Sequence, residues 1–536
     1  MKKLPEATPA ETSIPPQLHS RSLLGLHAAS VTVECHIGNG LPHTTIVGLP
    51  DGAVREARDR VRSAIVNSGF SYPDGAVVIN LAPGSLSKSS TALDLPIALA
   101  ILSASQQIPG THLRGLEFIG ELGLFGELRK VNGCLTCALA SRAAQRVLVV
   151  PAANHTEAQI APADSMLLAD SLLAVTGYLT QTQTSPGQTG SMPAGINKPA
   201  AVQGFPLPSD ATVDGPREQS TTQLHEIVGQ EAAKRALTIA AAGGHHLLMV
   251  GPPGTGKTML ARSFAGLLPE LDKTQALECA AVYSAAGLTR QNYRLAPFRD
   301  PHHSASAPAL MGGGNPPLPG EVALSHHGVL FLDELPHFKP SALDLLREPI
   351  ETGSAVITRA KYKVTYPCRF QLIAAMNPCP AGRVCREDNC RCTPTQVQRY
   401  QSRVSGPLLD RIDIQVQVPA LDKALLTRLG NIQQSNTTAA LRADVANARL
   451  RQRQRQGCIN ALLGGDQLEK EIRDAALDED FLQQAIKRFN LSARSYHKIW
   501  RIARSIADLE KSPAIRLGDI TEALSYRGLD WENNLR

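Results

Sequence analysis

A chain of 536 residues with 43% hydrophobic and 19% charged content is too long for one core and ordinary for a soluble protein, which predicts two to four domains. No run of about 18 apolar residues occurs, and the opening MKKLPEATPAETSIPPQ follows its two lysines with prolines and polar residues, so spans and a secretory leader are not expected and a cytoplasmic location is. The formal charge of +6 is mild, and it would matter for nucleic acid only if the basic groups shared one surface.

Residues 1–20 read as a disordered tail. From 21 to 178, short apolar strand candidates (Ser30–His36, Ala76–Leu81, Arg146–Val150) mix with helical stretches at Val54–Ser68 and Asp94–Ser105, an α/β pattern. The first helix carries Arg55, Arg58, Arg60 and Arg62; these could meet DNA, or form a salt-bridged surface with Glu56 and Asp59. Residues 179–222, rich in Thr, Gln, Gly, Pro and Ser, read as a flexible linker.

From 223 to 420 apolar strands alternate with helices: His245–Val250, Gly328–Asp333, Arg369–Met376 and Asp413–Val418. That alternation predicts a parallel sheet covered by helices. The strand and loop HHLLMVGPPGTGKTML contain Gly251, Pro252, Pro253, Gly254, Thr255, Gly256, Lys257, Thr258 and Met259. Glycines let backbone N–H groups converge on phosphates, Lys257 reaches the outer phosphates, and the Thr258 hydroxyl meets Mg²⁺; ATP is the expected cofactor. The run Gly328-Val-Leu-Phe-Leu-Asp-Glu-Leu335 is a buried strand ending in two acids, which need compensation by a metal and a polarised water. Asp333 would hold the Mg²⁺ shell and Glu334 would deprotonate or orient the attacking water.

Between these motifs lies an insertion, Ser284–Gly328, with the doublets His302-His303 and His326-His327. Adjacent side chains in a doublet are expected to point apart, which disfavours a metal reading. The segment Gly353–Val364 reads as two strand-like arms around Arg359 and Lys361, either a DNA-contacting tip or a solvated one. Asn377 follows a strand at the edge where an α/β sheet places its ligand, suiting a γ-phosphate sensor. Beyond it Cys379, Cys385, Cys390 and Cys392 offer four soft ligands, either for Zn²⁺ or as free thiols; bound zinc would stiffen the loop between two ATP-reading residues. Arg411 precedes the next strand and could reach a neighbouring subunit's nucleotide. Residues 421–536 show no strand signal and should be helical; Arg449 to Arg455 spreads four arginines around a helix, read as a solvated surface.

The ordered set TVECHIGNGLPHTTIVGLPD, VREARDRVRSAIVNSGF, GPPGTGKT, PHHSASAPALMGGG, GVLFLDEL, AAMNPCP, SGPLLDRIDI and LSARSYHKIWRIARSIADL resembles the magnesium-chelatase-like AAA+ ATPases, and within them the ComM/YifB group. The resemblance implies a Lon-protease-like N-terminal α/β domain, an AAA+ P-loop α/β core and a C-terminal helical lid. It further implies Gly229 and Gln230 lining the adenine pocket, Asn377 as sensor 1, Arg411 as the trans finger and Arg494 as the sensor 2 arginine. The insertion and the hairpin would project towards a ring's pore. Its members resemble hexameric DNA helicases, acting singly or as stacked hexamers. They would drive branch migration of single-stranded, forked or Holliday-junction DNA beside the recombination machinery in natural transformation, without a membrane partner. A magnesium-chelatase ATPase subunit and an AAA+ remodeller are the alternatives. In the Lon-like block, aligning Lys88–Asp94 and Asn132–Thr136 to the protease motifs puts Ala92 at the nucleophile and Leu135 at the base. Proteolysis is therefore not expected, although Ser85, Ser87, Ser89 and Ser90 lie nearby.

Overall fold

In the computed structural model the described residues are 17–86, 88, 91–113, 115–162, 165–181, 196–197, 223–382, 392–420, 437–475 and 492–527. The chain divides into two compact units, Met1–Thr212 with Ala280–Arg290, and Val213–Cys279 with Gln291–Arg536.

The first unit is built on a mixed sheet of strands β1 (Leu18–Leu24), β2 (His27–Gly38), β3 (His43–Val47), β4 (Ala76–Ala82) and β5 (Leu116–Phe118), with β6 (Glu121–Leu122) and β7 (Leu128–Arg129) forming a separate small hairpin. Strands β8 (Val147–Pro151), β9 (Met166–Ala169) and β10 (Ile196–Asn197) complete an eight-stranded order β10-β9-β8-β5-β1-β2-β4-β3. The helices Gly52–Asn67 and Asp94–Ala104 match the sequence reading to within two residues. The second is apolar all round and buried along nearly its whole length, so it fills the core.

Two expectations fail here. Leu18–Ser20, placed in a disordered tail, belong to β1, which pairs with β2 and β5; and Ile196–Asn197, placed in the linker, pair with β9, while the preceding helix runs on to Gln181. β1 escapes sequence reading because LHSRSLL looks half polar, yet Ser20, Arg21 and Ser22 are buried. The buried guanidinium is neutralised: Arg21 Nε donates to Glu117 Oε2 at 2.6 Å, and Arg146 and Ser141 donate to the same carboxylate. Burial acts to raise Glu117, but these three donors hold it below the usual carboxylate range. Ala92 and Leu135, which stand at the aligned positions in place of a nucleophile and a lysine, are both buried. Lys88 is also buried and donates to the carbonyls of Gly48, Leu81 and Pro83, pinning the ends of neighbouring loops; burial lowers its pKa.

The second unit holds five parallel strands: β11 (Leu247–Val250), β12 (Phe298–Arg299), β15 (Val329–Leu332), β18 (Gln371–Met376) and β19 (Ile414–Gln417). Their order is β12-β15-β18-β11-β19. Two antiparallel pairs accompany it, β13 (Gly312–Gly313) with β14 (Leu318–Pro319), and β16 (Ser354–Arg359) with β17 (Tyr362–Pro367). The apolar runs of the inner strands β11, β15 and β18 are nearly unbroken because both faces are covered: Leu247 and Met249 of β11 enter one core, Leu248 and Val250 the other. Each such side chain contributes about 1.5–3 kcal/mol on burial. After 420 the described residues form the helices Thr438–Gln456, Gly465–Asp474, Ala493–Leu509 and Leu517–Ser525.

The arginines of Thr438–Gln456 are a solvated surface only at Arg453, which is half exposed with Asp272 3.9 Å away; the others of the run are tied down. Arg449 donates to Ala241 O and Gln371 Oε1, Arg451 to Asp508 O, and Arg455 pairs with Asp508 and Glu471. The carboxylate and carbonyl partners come from distant segments, which spacing alone does not reveal. None of the described helices is long and apolar enough to cross a membrane.

Candidate functional site

The motifs meet at the carboxyl ends of the parallel strands. β11 feeds the loop Gly251–Gly256, and the helix Lys257–Ala265 leaves it. Gly254 and Gly256 have φ of +81° and +86°, a region that a Cβ would make costly, and open space surrounds the Cβ positions of both. Gly251 is required by proximity instead: a Cβ there would lie 2.1 Å from Val418 O, just past the end of β19.

Lys257 folds back on this loop. Its Nζ donates to Gly251 O and Pro252 O at 2.7 Å each and to Asn377 Oδ1 at 3.2 Å. Burial lowers its pKa, opposed by Asp333 and Glu334. Asn377, ending β18, thus touches the lysine that the sequence assigns to the outer phosphates. Thr255 closes the loop by donating to Pro252 O at 3.0 Å; the Pro253 ring lies close to Gly382, and Met259, on the helix that follows, is exposed. Thr258 Oγ1 donates to Asp333 Oδ2 at 2.7 Å. A hydroxyl and a carboxylate this close are a hard-oxygen pair suited to Mg²⁺, so the residues fit the Mg²⁺–nucleotide that the loop implies. Glu334, one residue on, has φ of 52° and an exposed carboxylate; its N–H donates to Asp333 Oδ1. Gly229 and Gln230 lead into the helix Glu231–Gly243, and Gln230 Nε2 donates to Pro419 O at 2.7 Å, beside the same strand end.

The segment 284–328 is not one insertion. Its Phe298–Arg299 is the edge strand β12 of the sheet, and the His302-His303 doublet that follows comes to the site: His303 Nδ1 lies 3.3 Å from Glu334 Oε2. Sequence reading missed His303 as a site residue: the Phe298–Arg299 strand before the doublet is too short and too polar to mark a strand end. The doublets also do not splay. Ring centroids are 4.1 Å apart in His302–His303 and 3.9 Å in His326–His327. His326, His327 and Glu278 gather ligand atoms within 4.8 Å, yet the tautomer opposes a metal. His326 Nδ1 accepts the Arg369 N–H at 3.0 Å, so its proton sits on Nε2, the atom facing Glu278. Burial lowers His326 to about 4, leaving a neutral donor in place of a ligand.

Arg359 and Lys361 lie at the exposed turn between β16 and β17. The pair β13–β14 packs on this hairpin: Tyr366 Oη donates to Pro317 O at 2.8 Å, and a Cβ on Gly312 would meet Ile357 and Leu318. Arg411 and Arg494 are brought together, with both guanidinium groups on Glu351 Oε1. Cys379 and Cys392 pack with Ala381 and Val397, while Cys385 and Cys390 lie outside the described residues. In the first unit Arg58 pairs with Asp59, Arg60 with the buried Asp94, and Arg62 stacks on Tyr72; the Arg55 side chain is outside the described set.

The chain matches the families described as magnesium chelatase, subunit ChlI, over 223–426, subunit ChlI of Mg-chelatase over 33–154, and magnesium chelatase, subunit ChlI C-terminal, over 435–527. It is 44% identical to the competence protein ComM of Haemophilus influenzae, over 96% of this chain and 97% of that protein. YifB of Escherichia coli is 43% identical over 96% of this chain and 97% of its own length. The magnesium-chelatase 38 kDa subunit of Rhodobacter capsulatus is 26% identical, over 31% of this chain and 53% of that subunit. With the phosphate loop, the acid pair and the parallel sheet in place, the chain belongs to the ComM/YifB family of magnesium-chelatase-like AAA+ ATPases.

Proposed function

We propose that this chain is the subunit of a cytoplasmic hexameric ring that hydrolyses ATP to move DNA, promoting branch migration of recombination intermediates during natural transformation. The observation that carries the reading is one compact unit joining a phosphate loop, with Thr258 and Asp333 2.7 Å apart, to an exposed basic hairpin at Arg359 and Lys361. The relative named as a competence protein supplies the biological setting.

Bound Mg²⁺–ATP supplies the electrophilic phosphorus and the leaving diphosphate. Lys257 would exchange the carbonyls of Gly251 and Pro252 for the phosphates, and Thr258 and Asp333 would hold the cation's shell. Glu334 takes the proton of the attacking water. Asn377 senses the phosphate beside Lys257, whereas Arg411 and Arg494 act at a subunit boundary. Basic side chains at a hairpin tip grip a phosphate backbone without reading bases, as a translocating motor requires. The Lon-like first unit and the helical lid complete the subunit, and a zinc ion, if held by Cys379, Cys385, Cys390 and Cys392, would stiffen the chain that follows Asn377.

The test is ATPase activity with and without forked or four-way DNA. Wild type is expected to be stimulated, Lys257→Ala to be inert, and Glu334→Gln to bind ATP without turning it over. ATPase activity indifferent to DNA, with no shift of branched DNA on a gel, would leave a chelatase-type subunit or a protein remodeller as the better reading.

A further inference from the structure

The arginines assigned to the subunit boundary share a partner that no motif marks. Arg411 Nη2 lies 2.7 Å from Glu351 Oε1, and Arg494 Nη2 donates to the same oxygen. Arg494 also approaches Asp410 at 3.6 Å, and Arg411 Nη1 donates to Pro407 O at 2.6 Å. Arg411 Nε is buried without a partner, so this guanidinium has a donor still to satisfy. Two cations drawn onto one carboxylate oxygen repel one another, and Glu351 is what holds them together. An outer phosphate is the same kind of partner with more charge and more acceptor oxygens.

We propose that Glu351 is a positioning residue that stands in for a neighbour's outer phosphate, holding Arg411 and Arg494 as a pair until ATP displaces it, and that this exchange is relayed to the hairpin carrying Arg359 and Lys361. The relay is covalent and short. Glu351 lies near the end of the helix Arg347–Thr352; Gly353, at φ of +67°, turns the chain directly into β16, whose far end is Arg359. Glu351 and Arg494 are 42% and 45% exposed, so the latch can open without unpacking the core. The two arginines also hold Glu351 below the usual carboxylate range, which keeps the latch charged at neutral pH.

This proposal rests on the ATPase-motor reading, and its test separates the two. Glu351→Gln keeps the side chain's size and removes the competing charge. Turnover without DNA should rise about fivefold, an amount equal to about 1 kcal/mol in barrier, with the half-saturating ATP concentration lowered and the stimulation by DNA reduced in proportion. Glu351→Ala should do the same, and Glu348→Gln, an exposed change one turn earlier on the same helix, should match wild type. DNA-free turnover at or below the wild-type rate in both Glu351 variants overturns the latch. A wild-type enzyme that DNA does not stimulate defeats the motor reading instead, and the DNA-free rates still decide the latch.

Discussion

Replacing Lys498 by Met should destabilise the second unit by about 3–5 kcal/mol, because it strands a buried charge. Lys498, on the helix Ala493–Leu509, is 6% exposed and places Nζ 2.9 Å from Asp413 Oδ1 and 2.6 Å from Asp410 O. Asp413 precedes β19, is 8% exposed, and also meets the His246 N–H at 3.1 Å and His245 Nδ1 at 3.7 Å, with Arg501 and Arg527 attracting it from further off. Burial works to raise Asp413, but Lys498 and then His245 outweigh it and hold the group far below the usual carboxylate range. A depressed carboxylate adds stability above its unfolded pKa of about 4 and loses it as pH falls through the folded value. With Lys498 gone, burial loses its largest opponent and Asp413 becomes easier to protonate in the fold than it is beside the lysine. The deficit of the variant should therefore be largest near pH 7 and shrink as pH falls towards about 4. Thermal unfolding followed by circular dichroism at pH 7 and pH 4.5 measures this, with a neutral-pH drop in Tm of roughly 10 °C expected. A deficit that is the same at both pH values would show that Lys498 acts through packing alone, and a drop under 2 °C would refute the buried-pair reasoning altogether.

Removing both basic tip residues, Arg359→Ala with Lys361→Ala, should abolish most DNA stimulation of the ATPase while leaving DNA-free turnover within about twofold, since the tip is exposed and remote in sequence from the phosphate loop. The salt dependence of DNA binding should flatten in the same variant. His303→Ala should lower kcat about three- to tenfold with little change in the ATP concentration needed, because it faces Glu334 rather than the loop; an unchanged kcat would remove His303 from the site.

The parallel sheet was legible because its inner strands β11, β15 and β18 are buried on both faces and read as nearly unbroken apolar runs, whereas β19 reads Ile-Gln-Val-Gln with one face buried, and each functional motif sits where such a strand stops. All four strands called in this unit, near 247, 329, 371 and 414, lie within two residues of their observed limits. What escaped were elements whose partners are far away in sequence. β1 hides its polar face against Glu117, nearly 100 residues on; Arg451 and Arg455 reach Asp508; and β12, two residues long, is too short to carry a period. The histidine doublets misled for a related reason. Adjacent side chains diverge in regular structure, but His327 has φ of 56°, which turns its ring back beside His326.

The close approach at Gly251 gives β19 a mechanical role. One end of this four-residue strand begins three positions after Arg411; just past the other, Val418 O presses on the first glycine of the phosphate loop, leaving no space for even a methyl group. The strand is about 13 Å long, with Ile414 and Val416 set in the core on one face and Gln415 and Gln417 on the other, and works as a strut between the chain's own nucleotide loop and the segment that carries Arg411 to Glu351. In a ring of such subunits, load would pass from one site to the next through a stiff rod, so turnover at neighbouring sites would be geared together rather than independent.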